Sequence, residues 1–178
     1  DPGLAAARAA FASGDIEGAK RIARDNGLKS YTKDVDDFQA ALSKGKAALK
    51  HFDDDAADTL DIAFRLLSVL GGDPSSAAFA DVRTPYGKAL LVAGTADLDK
   101  NPCAAARKLY KAARVIPDDS AVSSQLRDLE SRAVAALDRA RAIKHTDADH
   151  AAAIAREGMC MAKTGSKTYE ELRALSRL

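Results

Sequence analysis

Apolar side chains recur every three or four residues along almost the whole chain, with polar ones between. Phe38, Ala41, Leu42, Gly45, Ala48, Leu49 and Phe52 make one stripe; Ala56, Ala57, Leu60, Ala63, Phe64, Leu67 and Leu70 make the next. A period near 3.6 puts each set on one helix face. Asp53-Asp54-Asp55 lies between them, able to cap the second helix and to complement the positive end of its dipole. Gly71-Gly72 stops that helix. Residues 34–70 are therefore expected to form a helical hairpin.

The pattern repeats on both sides. Leu4, Ala7 and Phe11 predict a short helix, Ser13-Gly14-Asp15 a turn, and Ile16, Ala19, Ile22 and Ala23 a second helix ended by Gly27. Residues 27–34 read as a polar link, and 71–83 as a connector in which Asp73-Pro74 opens one helical turn through Ala80. Thr84-Pro85 reads as the start of a helix running to Leu98. Asn101-Pro102 starts its partner, with Cys103, Ala106, Leu109, Tyr110 and Ala113 inward and Pro117 closing it. A long helix over 120–144 follows, then one restarted by Asp147 and a last one from Ser166 with Tyr169, Leu172 and Leu175 on one side. No segment alternates with period two, so no strand is expected.

Composition sharpens this to an all-α chain. There are 39 alanines among 178 residues, and no tryptophan. Alanine costs little in a helix and lets helices approach closely. The length suits one domain or two small ones, with enough core to stand without metal or disulfide support. Twenty-seven Lys and Arg balance 26 Asp and Glu. That near-neutrality speaks against a dominant nucleic-acid or membrane-surface field. No apolar run approaches the roughly 20 residues that cross a bilayer. The chain begins Asp1-Pro2-Gly3, without Met, and reads as a piece of a longer protein.

The second helices of the hairpins align. Ala19 with Ala23, Leu60 with Phe64, Ala106 with Tyr110 and Ala153 with Glu157 fall at matching places, spaced 41, 46 and 47 residues apart. Repeating helical hairpins imply stacked units. In the third, Gly94, Ala106, Tyr110, Ala113 and Pro117 resemble the tetratricopeptide repeat, whose hairpin pairs a small residue on the first helix with a small residue and an aromatic on the second. Ser13-Gly14-Asp15 with Ala19 resembles the same family's turn. The fourth unit departs, with Glu157 in the aromatic's place, and the period exceeds the family's, about 34 residues. The resemblance implies a right-handed stack of about four antiparallel helical hairpins, a tetratricopeptide-like solenoid, over residues 1–178 with a C-terminal capping helix; HEAT-like packing is the alternative. Across 84–178, the run Arg107, Tyr110, Ala113, Pro117, Leu126, Leu129, Ala133, Ala140, Met159, Met161, Gly165-Ser166, Tyr169 and Leu175-x-x-Leu178 is similar to the helical C-terminal region of delta-proteobacterial signalling proteins that carry a forkhead-associated domain. No residue of that phosphothreonine-reading domain is present here.

Little points to chemistry. His145 and His150 lie five apart without the further ligands that zinc needs, and His51 suits a helix C-terminus. Asp53, Asp54, Asp55, Asp58 and Asp61 lack the glycine and glutamate of a calcium loop. Their other use is docking a basic partner. Cys103 begins one helix and Cys160 ends a later one. Those placements do not favour pairing, which makes a reduced, cytoplasmic setting the default. No phosphate loop is present. The sequence therefore assigns no catalytic residue, no metal and no cofactor.

Two sets of residues are candidates for binding a partner. By the resemblance, Lys88, Leu91, Thr95 and Leu98 line the groove formed by first helices. Independently, Arg107, Lys111 and Arg114 share one face at i, i+4 and i+7, flanked by Lys108 and Lys100, a strip suited to an acidic or phosphorylated segment. The expectation is a non-enzymatic protein–protein interaction or scaffolding module that binds a peptide or partner domain. The alternative is a structural spacer or homodimerisation domain of a larger signalling protein, dimerising through the helix over 169–178. Nucleic acid and membrane insertion are not expected.

Overall fold

The computed structural model describes residues 1–178 and is all-helical, without strands. Its elements are α1 (Pro2–Ala12), α2 (Ile16–Asp25), α3 (Lys29–Lys50), α4 (Ala56–Val69), a 3-10 turn (Ala77–Phe79), α5 (Ala80–Asp97), α6 (Pro102–Val115), α7 (Ser120–Ile143), α8 (Ala148–Met159) and α9 (Lys167–Leu175). The starts are written in the sequence. The side chains of Asp1, Asp15, Asn101, Asp119, Asp147 and Ser166 each accept an amide of the helix that follows. That satisfies donors the helix itself leaves over. Asp55 stands at the N-cap of α4 without such a bond. The three aspartates there are therefore not a side-chain cap.

Two boundaries differ from the sequence expectation. The link over 27–34 shrinks to Gly27 and Leu28, because α3 begins at Lys29. Tyr31 explains the extension: it is 7% exposed, and its hydroxyl donates to the Leu70 carbonyl at 2.8 Å. A residue that reads as polar linker is thus a core anchor. The fifth helix begins at Ala80, running on from the 3-10 turn, and Pro85 sits inside it. Proline has no N–H to give the carbonyl four residues back. Its place in the second turn confines that loss to a single bond near the helix start.

The chain divides into two compact units, Asp1–Leu90 and Leu91–Leu178, and the division falls inside α5. In the first, α1 packs on α2, α2 on α3, and α3 along α4. Four of the 13 buried residues of its core are Phe or Tyr, beside five alanines. Phe11 meets Phe38 edge to face at 5.4 Å and stacks on Phe79 at 5.3 Å, while Phe64 lies 4.9 Å from Tyr86. Tyr86 is 1% exposed and donates to Asp61 at 2.6 Å. Burial, then the hydrogen bond to Asp61, raise its pKa well above the ordinary tyrosine value.

The second unit is built differently. Eight of the 14 buried residues of its core are alanine, so its helices approach to methyl-group distance. α7 is the axis. At 1.5 Å per residue its 24 residues span about 36 Å, whereas the 14 of α6 and the 12 of α8 span about 21 and 18 Å. The two short helices share the long one. Arg132, midway along α7, donates to the Leu98 carbonyl and to Asp99 just before α6. A Cβ on Gly158, near the end of α8, would lie 2.8 Å from the Ala136 methyl. The beginning of α6 and the end of α8 therefore meet at the middle of α7.

Cys103 and Cys160 occupy those two ends and form a disulfide, with Cα atoms 5.2 Å apart. This corrects the sequence expectation of unpaired cysteines. A helix start and a helix end come together here because α6 and α8 divide one rod between them. Gly94 is a point of close approach to α6: a Cβ there would strike Leu109 at 2.7 Å and Lys108 at 3.3 Å.

Two outcomes follow from this packing. The cross-link closes 57 residues, so reduction, or paired Cys103→Ser and Cys160→Ser, is expected to cost the second unit about 2–4 kcal/mol. Urea unfolding with and without a reductant measures this. For Tyr86, the folded pKa exceeds the unfolded one, so its contribution is intact below the unfolded value of about 10 and declines as pH rises further. Stability of the wild type is expected to fall above that pH, and Tyr86→Phe to fall less steeply; urea midpoints across the alkaline range test it.

Candidate cationic groove

A groove of about 1230 Å3 opens on the second unit. α6 supplies one wall. Arg107, Lys111 and Arg114 lie along it, in the one-face arrangement read from their spacing, with Tyr110 and Ala113 beside them. The opposite side comes from the end of α8 and the turn after it, with Arg156, Met159, Cys160, Ala162, Lys163 and Thr164. Leu126 of α7 and Tyr169 of α9 complete the lining. Five lining residues are cations, and none is aspartate or glutamate.

The apolar floor is as informative as the rim. All five phenylalanines of the chain lie in the first unit, as do Tyr31 and Tyr86. The second unit has only two aromatic residues, Tyr110 and Tyr169, and both line the groove. Each is only partly buried, packed against the edge of the alanine core. The Tyr110 hydroxyl donates to the Met161 carbonyl at 2.9 Å, which ties the α6 wall to the α8–α9 turn. Burial, and to a lesser degree Glu130, raise the Tyr110 pKa above the ordinary tyrosine value, so it stays neutral. The disulfide adds a second tie between the same walls through Cys160. The Arg156 guanidinium also donates to the Ser176 carbonyl beyond α9, at 3.2 Å.

The other candidate residues fall elsewhere. Leu98 is 6% exposed and belongs to the alanine core, and Leu91 packs against that core. Thr95 is exposed. Lys88 is in the first unit, beside a shallower depression of about 560 Å3 that it lines with Lys46, Leu49, Lys50 and Pro85. Lys108 pairs with Asp97 instead of joining the strip. Of the seven candidates, Arg107, Lys111 and Arg114 meet in the groove. Arg156 and Lys163 escaped the sequence reading. Their approach to α6 follows from the shared rod, and the lengths of the three helices were the signal available for it.

His145 and His150 are both exposed, and no three His, Cys, Asp or Glu side chains come together in a metal-binding arrangement. No helix is long and apolar enough to cross a membrane. Comparison with protein-family models, with curated proteins and with solved structures finds no match.

Proposed function

We propose that this chain is a protein-interaction module whose second unit holds an anionic peptide segment in the groove between α6 and the α8–α9 turn. The observation that carries this is the lining: five cations, no carboxylate, and the unit's only two aromatic rings beneath them. Guanidinium groups match carboxylate or phosphate oxygens in pairs. Tyrosine rings give an apolar side chain somewhere to rest, and the Tyr110 hydroxyl is already satisfied by the Met161 carbonyl. The fitting ligand is an acidic segment with one large apolar residue, bound without chemical change.

The associated reading of the fold is a degenerate stack of helical hairpins of the tetratricopeptide kind. Its support is the run of paired helices, α1 with α2, α3 with α4 and α7 with α8. Use of the α6 face differs from the usual groove of that family, and the burial of Leu98 is the reason for preferring α6. For the setting, the cystine favours an oxidising compartment over the reduced cytoplasm.

A fluorescent peptide of glutamates around one phenylalanine is expected to bind the intact chain, and more weakly as salt is added. Arg107→Glu with Arg114→Glu should weaken that binding by roughly tenfold or more, because two attractive contacts become repulsive. Lys88→Glu should leave it unchanged. Anisotropy titrations decide the matter. Equal binding by wild type and the double variant, or loss on Lys88→Glu alone, sets this groove aside.

A further inference from the structure

The groove specifies its ligand closely enough to search for it: an exposed segment with one large apolar side chain and several carboxylates. The chain itself displays one. Between α3 and α4, Phe52 is 72% exposed, the most exposed large hydrophobic residue in the protein. Asp53, Asp54 and Asp55 follow it directly, all exposed. Phe52 also has φ of +55°, the single positive-φ residue that is not glycine. Such a position just past a helix end is ordinarily taken by glycine or asparagine. A bulky ring held there, in water, gains nothing from the fold around it.

From this complementarity of charge and apolar surface we infer that the Phe52–Asp55 turn of one copy docks in the cationic groove of a second copy, giving self-association through two unlike surfaces. The inference rests on the groove reading and names its partner. The ring enters above Tyr110, Leu126 and Tyr169, and the aspartates face Arg107, Arg114 and Arg156. Turn and groove are different surfaces, so the contact joins unlike patches, closed either reciprocally between two copies or in series through more.

The experiment is sedimentation velocity on the full chain with two variants. Wild type is expected to assemble with rising concentration, less so in high salt. Phe52→Gly suits the positive φ and removes the ring. It should melt at a higher temperature, yet self-associate roughly tenfold or more weakly. Arg107→Glu with Arg114→Glu should also stay monomeric. Mixed, the two variants should form a one-to-one dimer, since one keeps the groove and the other the turn. The inference is overturned if the mixture forms no complex, or if either variant dimerises as wild type does, which would indicate a symmetric interface elsewhere. The glutamate–phenylalanine peptide separates the two ideas. If it binds the groove while the mixture stays monomeric, self-association alone fails; if neither binds, the groove reading fails with it.

Discussion

The sharing of α7 by two shorter helices is the constraint on which the second unit depends. A rod of 24 residues offers a face long enough for α6 and α8 in succession. Their meeting at its midpoint brings Cys103 to Cys160 and sets the α6 cations opposite Arg156 and Lys163. Alanine makes this possible. At Ala133, Ala136, Ala140, Ala151 and Ala155 a larger side chain would push the short helices outward, and the two walls would move with them. The disulfide and the Tyr110–Met161 hydrogen bond then tie the two walls together.

The two units share an alanine-rich core but place their aromatic rings differently, and this bears on function. The first places rings among the small side chains of its core, and they interlock at centroid separations near 5 Å. The second spends no ring on its core and leaves both of its tyrosines at the surface groove. Aromatic side chains are costly to leave half in water unless a partner completes their burial. The first unit shows the same pattern in miniature at Phe52, the one phenylalanine that joins no core.

Much of the architecture was legible in the sequence. The 3.6-residue stripes and the starts at Asn101, Asp147 and Ser166 locate most of the helices, because these signals act within a single turn of chain. What escaped was decided across distance. Tyr31 lies among polar neighbours, and only the carbonyl of Leu70, 39 residues away, makes it an anchor. Thr84-Pro85 has the look of a helix start, but the preceding 3-10 turn begins the helix earlier. Of the site, Arg107, Lys111 and Arg114 were readable because i, i+4, i+7 fixes a face by itself. Arg156, Lys163 and the cysteine pairing needed the order in which helices lie along α7. That order is written in helix lengths and not in any local motif.

The methyl-built core has a thermal consequence. The heat capacity of unfolding grows with the apolar area exposed when a structure opens, and alanine exposes less than leucine or phenylalanine. On that ground the second unit is expected to have a flatter stability curve than a unit of equal length packed with larger side chains.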